Sequence, residues 1–525
     1  MAARMIPPDE NVALKRRRIP WLLIAFALPF AIQGIAFLMR LGHLVVLQGD
    51  TTYPEGAIIY AFMTSLRTGM LYSDPYHFPF NEQIYGPIFY IVGFASASLA
   101  QGNAVLTTEL MRLISLFSFL GSVGLIARLT WTLEHNRLLT FVCVLTSLGC
   151  AWAIPFTASA RPDALAILFF LGSLTIYQAA CGRVKLLFAA GVLGALAGFT
   201  KQTMAVAVFA VILDSLIGRR WKGVNAYVGG ALSVTALLFC ILWFRHEPFL
   251  QNFAIAGHSI VNLSIILPSI LLMLKGDELS IVAIGVSMIG VACCWRRERY
   301  RAILLVSALG VASNVLAIAN TGSSNNYLIL PWLLLMLFLP AGLLCLERQV
   351  RDSHAVPLCL AVACFFLLAH QRNLLREEIH EKLDCSGLAD LEVLSDRPYL
   401  EMRTLNPEFL DPFFYHQLSL QHLWSIDPVL LRIKNETFDM ITIHGRSVRA
   451  GSSFEIDNTN GMSLWGPEIV DAINRHYRQL CSVPEEMIFI PVGRSSRIQQ
   501  TEMQAVFNES CTASMGKLQL ANGTR

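Results

Sequence analysis

The stretch Lys15-Arg16-Arg17-Arg18-Ile19-Pro20-Trp21-Leu22-Leu23-Ile24-Ala25-Phe26 decides the fold class. Four consecutive cations lead into an apolar run that continues to Val46. About 20 mostly apolar residues are enough to cross a bilayer. The run is too long for a cleavable signal, and its far end has no small-residue cleavage pattern. Working outward from it, similar runs recur at 108–127, 138–157, 163–180, 184–199, 202–217, 225–244, 279–294, 301–319, 327–346 and 355–371. With 20–46 they predict about eleven transmembrane helices. Composition agrees. Only 15% of the residues are charged and 54% are hydrophobic, against roughly 25% charged in a soluble domain, so most of the chain has to lie in lipid.

Two further apolar stretches, 85–103 and 258–274, are ambiguous, and loop charge arbitrates. Basic residues collect on the cytoplasmic side of membrane proteins. The clusters here are Lys15–Arg18, Arg128 with Arg137, Arg183 with Lys185, Arg219-Arg220 with Lys222, Arg296-Arg297 with Arg299 and Arg301, and Arg348 with Arg351. If neither ambiguous stretch crosses, every cluster falls inside; if both crossed, the clusters between them would flip outside. Both are therefore read as re-entrant or surface-lying helices on the outer face. The expected organisation is a cytoplasmic basic N-terminus over 1–19, a transmembrane domain over 20–371 with a first outer loop at 47–84, a soluble extracytoplasmic domain over 372–506, and a disordered tail over 507–525. The expected location is an integral membrane one, a bacterial inner or plasma membrane.

This topology collects the unusual polar residues on the outer face. The first outer loop reads Gln48-Gly49-Asp50-Thr51-Thr52-Tyr53-Pro54-Glu55-Gly56. Pro54 and Glu55 suit a helix's first turn. Ile58, Ile59, Phe62, Met63 and Leu66 then share one helical face, which predicts an amphipathic helix of about 15 residues lying in the interface. Arg161-Pro162-Asp163 opens the run at 163, and Asp163 is also plain helix-start chemistry. Lys201, in Phe199-Thr200-Lys201-Gln202-Thr203, separates two short apolar runs. It either snorkels to the interface or, buried between helices, forms an anion site. A Gly322–Tyr327 turn opens another helix. Acids, cations and polar turns on one membrane face suit a substrate with a charged head and an apolar tail. A phosphate head would meet Lys201 and Arg161, and an outer-loop carboxylate could act as general base on an acceptor hydroxyl.

At these residues the chain resembles the GT-C superfamily of integral-membrane glycosyltransferases. It is most similar to the bacterial family 39-like branch related to protein O-mannosyltransferases and lipid A aminoarabinose transferases. The resembling pieces are Tyr53-Pro54-Glu55-Gly56, Gly69-Met70-Leu71-Tyr72, Tyr85-Gly86-Pro87-Ile88-Phe89-Tyr90, Ser159–Ala166, Phe199–Thr203 and Asn325-Asn326-Tyr327. After the membrane part come Val393–Asp396, Leu410–Phe413 and Phe438–Ile441. Each piece is weak alone; their order along nearly the whole chain is the specific part.

The resemblance implies a polyprenyl-phosphate-linked sugar as donor and a lipid, glycan or protein as acceptor. It implies inverting transfer at the outer face, with Asp50 or Glu55 as the base. Lys201, Arg161 and Tyr85 would then bind the donor's phosphate and lipid, with Asp163, His258, Asn326 and Tyr327 in substrate-binding or structural roles. The family often has an adjacent Asp-Glu pair, whereas Asp50 and Glu55 stand five apart. The lipid A transferases have Lys-Pro-Pro where Tyr85-Gly86-Pro87 stands, which moves the phosphate-binding lysine to Lys201.

After 372 charges return and apolar runs shorten. Leu391–Leu394, Met440–Ile443 and Met487–Ile490 read as strands, and Asp427–Lys434 and Pro467–Leu480 as helices. The fold class is thus an α-helical polytopic membrane protein with a small C-terminal α/β extracytoplasmic domain. No phosphate loop, nucleophile elbow or metal cluster is legible there. Among 12 cysteines there is no CxxC, and Cys293-Cys294 is adjacent rather than metal-spaced. Two of Cys385, Cys481 and Cys511 could pair if that region is oxidising. No cofactor is demanded, although two acids and a phosphate could share a divalent cation. The net charge of +3 is too small to suggest a nucleic-acid partner. The rival class is a transporter or a lipid or polysaccharide flippase. Transporters often show internal repeats and helices broken at the midplane; here no repeat is evident and the breaks cluster toward one face. A membrane scaffold would leave the first-loop acids without a role.

Overall fold

The computed structural model describes residues 21–46, 51–52, 55–78, 80–320, 323, 325–349, 355–370, 391–396, 411–449, 453–456, 458–459, 462–463, 465–483 and 486–493. A helix stands at each of the eleven expected positions. These are α1 (Trp21–Val45), α4 (Ala104–Glu134), α5 (Arg137–Leu148), α7 (Asp163–Ala180), α8 (Val184–Thr200), α9 (Val206–Ile217), α10 (Trp221–Phe244), α13 (Glu278–Cys294), α14 (Arg301–Ala317), the pair α15 (Ile329–Met336) and α16 (Leu339–Gln349), and α17 (Ala355–His370). Between them run α2 (Glu55–Thr68), α3 (Pro87–Leu99), α6 (Ile154–Thr157), α11 (Phe249–Ala256) and α12 (Ile266–Gly276).

Among the described residues, five helices are long and apolar enough to cross a membrane alone, and the apolar pair α15–α16, bent by 50°, is long enough together to count as a sixth if it forms one span. The rest of the eleven are shorter apolar helices of 12–17 residues. At 1.5 Å per residue, α3 is about 20 Å long and α12 shorter still, against a hydrocarbon core of about 30 Å. In length α3 and α12 resemble α5 and α9, which have 12 residues each.

Small residues set the closest helix contacts, as expected where lipid provides no hydrophobic push between helices. A Cβ on Gly191 of α8 would lie 1.9 Å from the Tyr227 carbonyl oxygen of α10, and one on Gly230 would lie 2.1 Å from that of Phe188. Gly290 and Gly342 do the same for α13 and α16. The interhelical core is aliphatic and aromatic, including Phe26, Phe30, Phe119, Phe170, Trp332 and Phe338.

The two ends of the bundle differ in chemistry. At the basic end, buried Asp214 on α9 accepts from Tyr177 Oη at 2.6 Å and Arg301 Nε at 3.0 Å, and also from Arg220. Glu134 accepts from Tyr300 Oη and from Arg299 Nη2 at 3.3 Å. Acids at the ends of α4 and α9 thus bind basic loops of the neighbouring helices. The opposite end carries the polar turns and the first loop. There α2 departs from its expected surface-lying position: Glu55 to Phe62 are buried on every side, because the helix is wedged against α3 and α4. Its interior includes Ile59, Phe62, Phe89 and Tyr90.

The soluble domain forms a mixed sheet in the order β1-β2-β7-β6, with β3 also paired to β2. The strands are β1 (Val393–Ser395), β2 (Met440–Arg449), β3 (Ser453–Ile456), β4 (Asn458–Thr459), β5 (Met462–Ser463), β6 (Tyr477–Val483) and β7 (Glu486–Pro491). β1 runs parallel to β2, and the other pairings are antiparallel. Its helices are α18 (Pro412–Leu420), α19 (Asp427–Lys434) and α20 (Pro467–His476). One expectation is corrected: helix α20 stops at His476, and Tyr477–Val483 is a strand. Pairing with Glu486–Pro491 satisfies its backbone in the sheet, a tertiary contact that overrides a weak local helical pattern. Cys481 lies in β6; Cys385, Cys511, the segment 1–19 and the tail 507–525 lie outside the described residues.

The membrane part and the soluble domain share one apolar cluster in which Phe80 of the first loop meets Tyr415 and Trp424, with ring centroids 5.5 and 5.0 Å apart. Tyr415 Oη donates to the Pro75 carbonyl at 2.8 Å. Buried Glu82 of the loop shares a hydrogen bond with Asp411, the N-cap of α18. Burial, then the Asp411 charge, hold the Glu82 carboxyl well above its ordinary value; Tyr415 and Tyr90 also face it. A carboxyl raised on folding stabilises fully below its unfolded value near 4.5, and that contribution is lost as pH climbs through the folded value. Hydrogen exchange over 74–84 and 411–420 is therefore expected to accelerate as pH rises, beyond the intrinsic rate. Glu82→Gln should flatten the dependence; an equally steep profile in that variant would assign it elsewhere.

Candidate functional site

The polar end of the bundle is organised around Asp163. It is the first residue of α7, so its carboxylate sits at the helix's positive end. Lys201 occupies the break between α8 and the short 3-10 turn Gln202–Ala205, with extended backbone (φ −144°, ψ 124°). The break leaves the Lys201 ammonium 2.5 Å from Asp163 Oδ1. Asn326, in the turn leading into α15, donates Nδ2 to the same oxygen at 2.8 Å. Arg161 brings Nε to 3.5 Å from Asp163 Oδ2. The Lys201 ammonium also lies 3.7 Å from the Tyr327 ring centroid, a favourable cation–π distance. Tyr85 faces the same charges; burial pushes its phenol up, while Arg161 and Lys201 pull the other way. Lys201 is 2% exposed, Asp163 1% and Arg161 9%, so the low dielectric magnifies every charge in the cluster.

The end of the first loop is docked onto the Lys201 break. Gly86 N–H donates to the Thr200 carbonyl at 3.3 Å. A Cβ on Gly86 would sit 2.0 Å from the Phe199 carbonyl oxygen, so only glycine permits this approach. Gln202 Nε2 donates to the Ile84 carbonyl, and Tyr72 Oη donates to that of Tyr85 at 2.9 Å. The expected phosphate-binding residues Lys201, Arg161 and Tyr85 thus meet with Asp163, Asn326 and Tyr327 in one cluster. His258 is placed elsewhere: it is exposed, and its carbonyl accepts from Gln421 of the soluble domain at 2.6 Å.

Glu55 is engaged from several directions. Arg112, in the apolar helix α4, donates Nε to Oε1 at 3.0 Å and Nη2 to Oε2 at 2.6 Å. Ala160 N–H donates to Oε1 at 2.6 Å, and Thr51 gives N–H at 2.8 Å and Oγ1 at 3.0 Å to Oε2. Both partners of the ion pair are fully buried. Sequence reading missed Arg112, although an arginine inside an apolar span is itself a signal. Through Ala160 the pair reaches the turn that carries Arg161, and through Thr51 it holds the chain just after Asp50. Asp50 itself lies outside the described residues. Among the described residues, no group of three or more His, Cys, Asp or Glu side chains could hold a metal ion.

No family model and no curated protein matches this sequence. Solved structures do. ArnT from Cupriavidus metallidurans in the apo state aligns with a TM-score of 0.56 at 12% identity, over 89% of this chain and 99% of that one. The same protein bound to undecaprenyl phosphate aligns with a TM-score of 0.54 at 13% identity and the same coverage. At such identity the likeness establishes the fold: this chain has the polytopic membrane fold of ArnT, as the GT-C resemblance implied.

Removing one member of a buried ion pair strands the other, at a cost of about 3–5 kcal/mol. Glu55→Gln and Arg112→Met are each expected to lower the thermal unfolding midpoint of the detergent-purified protein strongly. The double variant should lose clearly less than the sum; simple additivity would mean the two groups are not coupled.

Proposed function

Starting from the fold shared with ArnT, we propose that the protein is a membrane glycosyltransferase that moves a sugar from a polyprenyl-phosphate-linked donor to a hydroxyl acceptor. The observation that carries this reading is the buried meeting of Lys201 and Arg161 around a single carboxylate. Two buried cations brought side by side at the end of an apolar bundle suit the head group of a phosphate-linked lipid. The N-terminus of α7 adds its dipole to the same spot. The apolar helices around it suit a polyprenyl tail. Lys201 and Arg161 would stabilise charge gathering on the leaving phosphate, and Tyr85 and Tyr327 would line the head-group pocket.

We assign the general base to Asp50 rather than Glu55. The Glu55 oxygens already accept from a guanidinium, two backbone amides and a hydroxyl, so they are occupied where an acceptor hydroxyl would have to approach. Its role is to hold the chain beside Asp50 in register with the Arg161 turn. In the proposed step the acceptor oxygen gives its proton to Asp50 and bonds to the anomeric carbon from the face opposite the phosphate. The carbon–oxygen bond to phosphate breaks with its electron pair left on the phosphate oxygen, and configuration inverts. The acceptor is a lipid, glycan or protein. The basic end of the bundle lies in the cytoplasm by the distribution of cations, so transfer takes place at the outer face beneath the soluble domain.

Transfer of radiolabelled sugar from synthetic polyprenyl-phosphate sugars to a membrane extract tests this reading. Asp50→Asn should abolish transfer. Lys201→Met should reduce it by roughly a hundredfold, the scale lost with one preorganised electrostatic contact, with membrane insertion intact. A folded wild-type protein that transfers from no donor, yet moves a polyprenyl-phosphate lipid across vesicles, would be a flippase instead.

A further inference from the structure

Two buried tryptophans of this protein spend their indole N–H on the protein itself. Trp332 donates to the Ser147 carbonyl at 3.4 Å, and Trp465 of the soluble domain donates to Asp396 Oδ2 at 3.3 Å. Trp152 does not. Its Nε1 is buried and has no hydrogen-bond partner, a costly state for a donor that has left water. The Thr203 hydroxyl is in the same state, with Oγ1 buried and without a partner. Folded proteins leave few buried polar groups unsatisfied, and each one asks for a reason.

Both groups border the Lys201 site. Trp152 lies in the 3-10 turn Ala151–Ala153, on the stretch that leads from α5 to Asp163. That turn touches the turn Asn325–Leu328. Trp152 packs on Ile318 and Leu328, as does Tyr327, the ring that lies 3.7 Å from the Lys201 ammonium. Ile270 and Leu274 of α12 cover the same apolar patch, so these neighbours offer the indole no acceptor. Thr203 follows Lys201 in the 3-10 turn Gln202–Ala205. Its carbonyl accepts from Ser313 Oγ of α14 at 3.3 Å, which fixes the backbone that carries the unspent hydroxyl.

Resting on the glycosyltransferase reading, we propose that Trp152 and Thr203 are ligands of the donor's head group, each giving a hydrogen bond to one of its oxygens. An indole N–H only donates and carries no charge, so its partner is an acceptor oxygen, on the phosphate or on the sugar. A phosphate-linked sugar presents such oxygens, and a polyprenyl tail presents none. The site then divides its work. Lys201 attracts the phosphate by charge, which fixes position loosely. The two uncharged donors read where the head group's oxygens stand, because a site with buried donors rejects a ligand that cannot satisfy them. A tryptophan kept only for packing has no use for its N–H, and a threonine kept only for packing has none for its hydroxyl.

The test uses the full-length, detergent-purified protein, isotope-labelled at its tryptophan indoles for NMR. The Trp152 resonance is identified by its loss in Trp152→Phe. Two lipids of equal tail length are added separately, a polyprenyl monophosphate and a polyprenyl-phosphate hexose. A shift of the Trp152 indole proton to lower field with both lipids places its bond on the phosphate. A shift with the hexose lipid alone places it on the sugar. Affinity is measured in parallel with the same lipids in tritiated form. Trp152→Phe and Thr203→Val are each expected to weaken binding about tenfold, the scale of one hydrogen bond to a ligand. Thr203→Val keeps the side chain's shape and removes a hydroxyl with no partner in the protein. The thermal midpoint of the lipid-free variant should therefore stay level or rise, which a hydroxyl with a structural role would not allow. It carries the test should Trp152→Phe fail to fold. A Trp152 resonance unmoved by either bound lipid, or wild-type affinity in the folded variants, would overturn the proposal. A folded wild-type protein that binds neither lipid would instead sink the glycosyltransferase reading on which the proposal rests.

Discussion

Lys201 can sit inside a bundle of apolar helices because the Asp163 carboxylate meets its ammonium at 2.5 Å. An unpaired ammonium at 2% exposure would be prohibitively costly in so low a dielectric. Much of the polar end follows from that pairing. The carboxylate must stand at the start of α7, where the helix dipole favours it. The lysine must stand at a break, where its backbone is extended and its side chain can cross to α7. The break exposes the Phe199 and Thr200 carbonyls; Gly86 at the loop end closes over them, and the Ile84 carbonyl accepts from Gln202 Nε2 beyond the break. Irregular backbone at membrane depth is tolerated where protein buries it in this way.

A second buried pair, Glu55 with Arg112, does for the first loop what Asp163 does for the helix break. It joins α2 to α4 and reaches both Thr51 and Ala160. The segment before α2 and the turn before α7 are thereby tied to one carboxylate. A charge pair between helices fixes relative position more sharply than aliphatic packing, because its geometry is directional. The same engaged oxygens leave Glu55 little room to meet a further hydroxyl.

At the other end, Asp214 and Glu134 bind the arginine-rich connections, so these cations brace the helices they join. Among the described residues the soluble domain docks on the first loop and on the segment 255–260, where Gln417 and Gln421 meet Ile260 and His258. Phe80, Pro75 and Glu82 meet Tyr415, Trp424 and Asp411. Movement of that domain is therefore coupled to the loop that ends at Tyr85.

Much of this was legible in the sequence, for physical reasons. Lipid reads composition over windows of about 20 residues, so the apolar runs placed all eleven helices. The basic clusters marked one end of the bundle, and the turn residues flagged Arg161, Asp163, Lys201, Asn326 and Tyr327 as candidates. Gly86 was visible only as part of a resemblance, since its need for a bare Cα comes from the Phe199 carbonyl 113 positions on. The strand at Tyr477–Val483 was misread because its partner strand, not its own pattern, decides it. Which charges pair was beyond local reading: Asp163 takes partners 38 and 163 positions away, and Glu55 finds Arg112 57 positions on. The sequence alone determined a helical membrane protein with its polar chemistry at one end. Only the tertiary structure decided that Lys201 and Arg161 share one acid while Glu55 is consumed by Arg112, because the energy of a buried charge depends on distances set by packing between helices far apart in the chain.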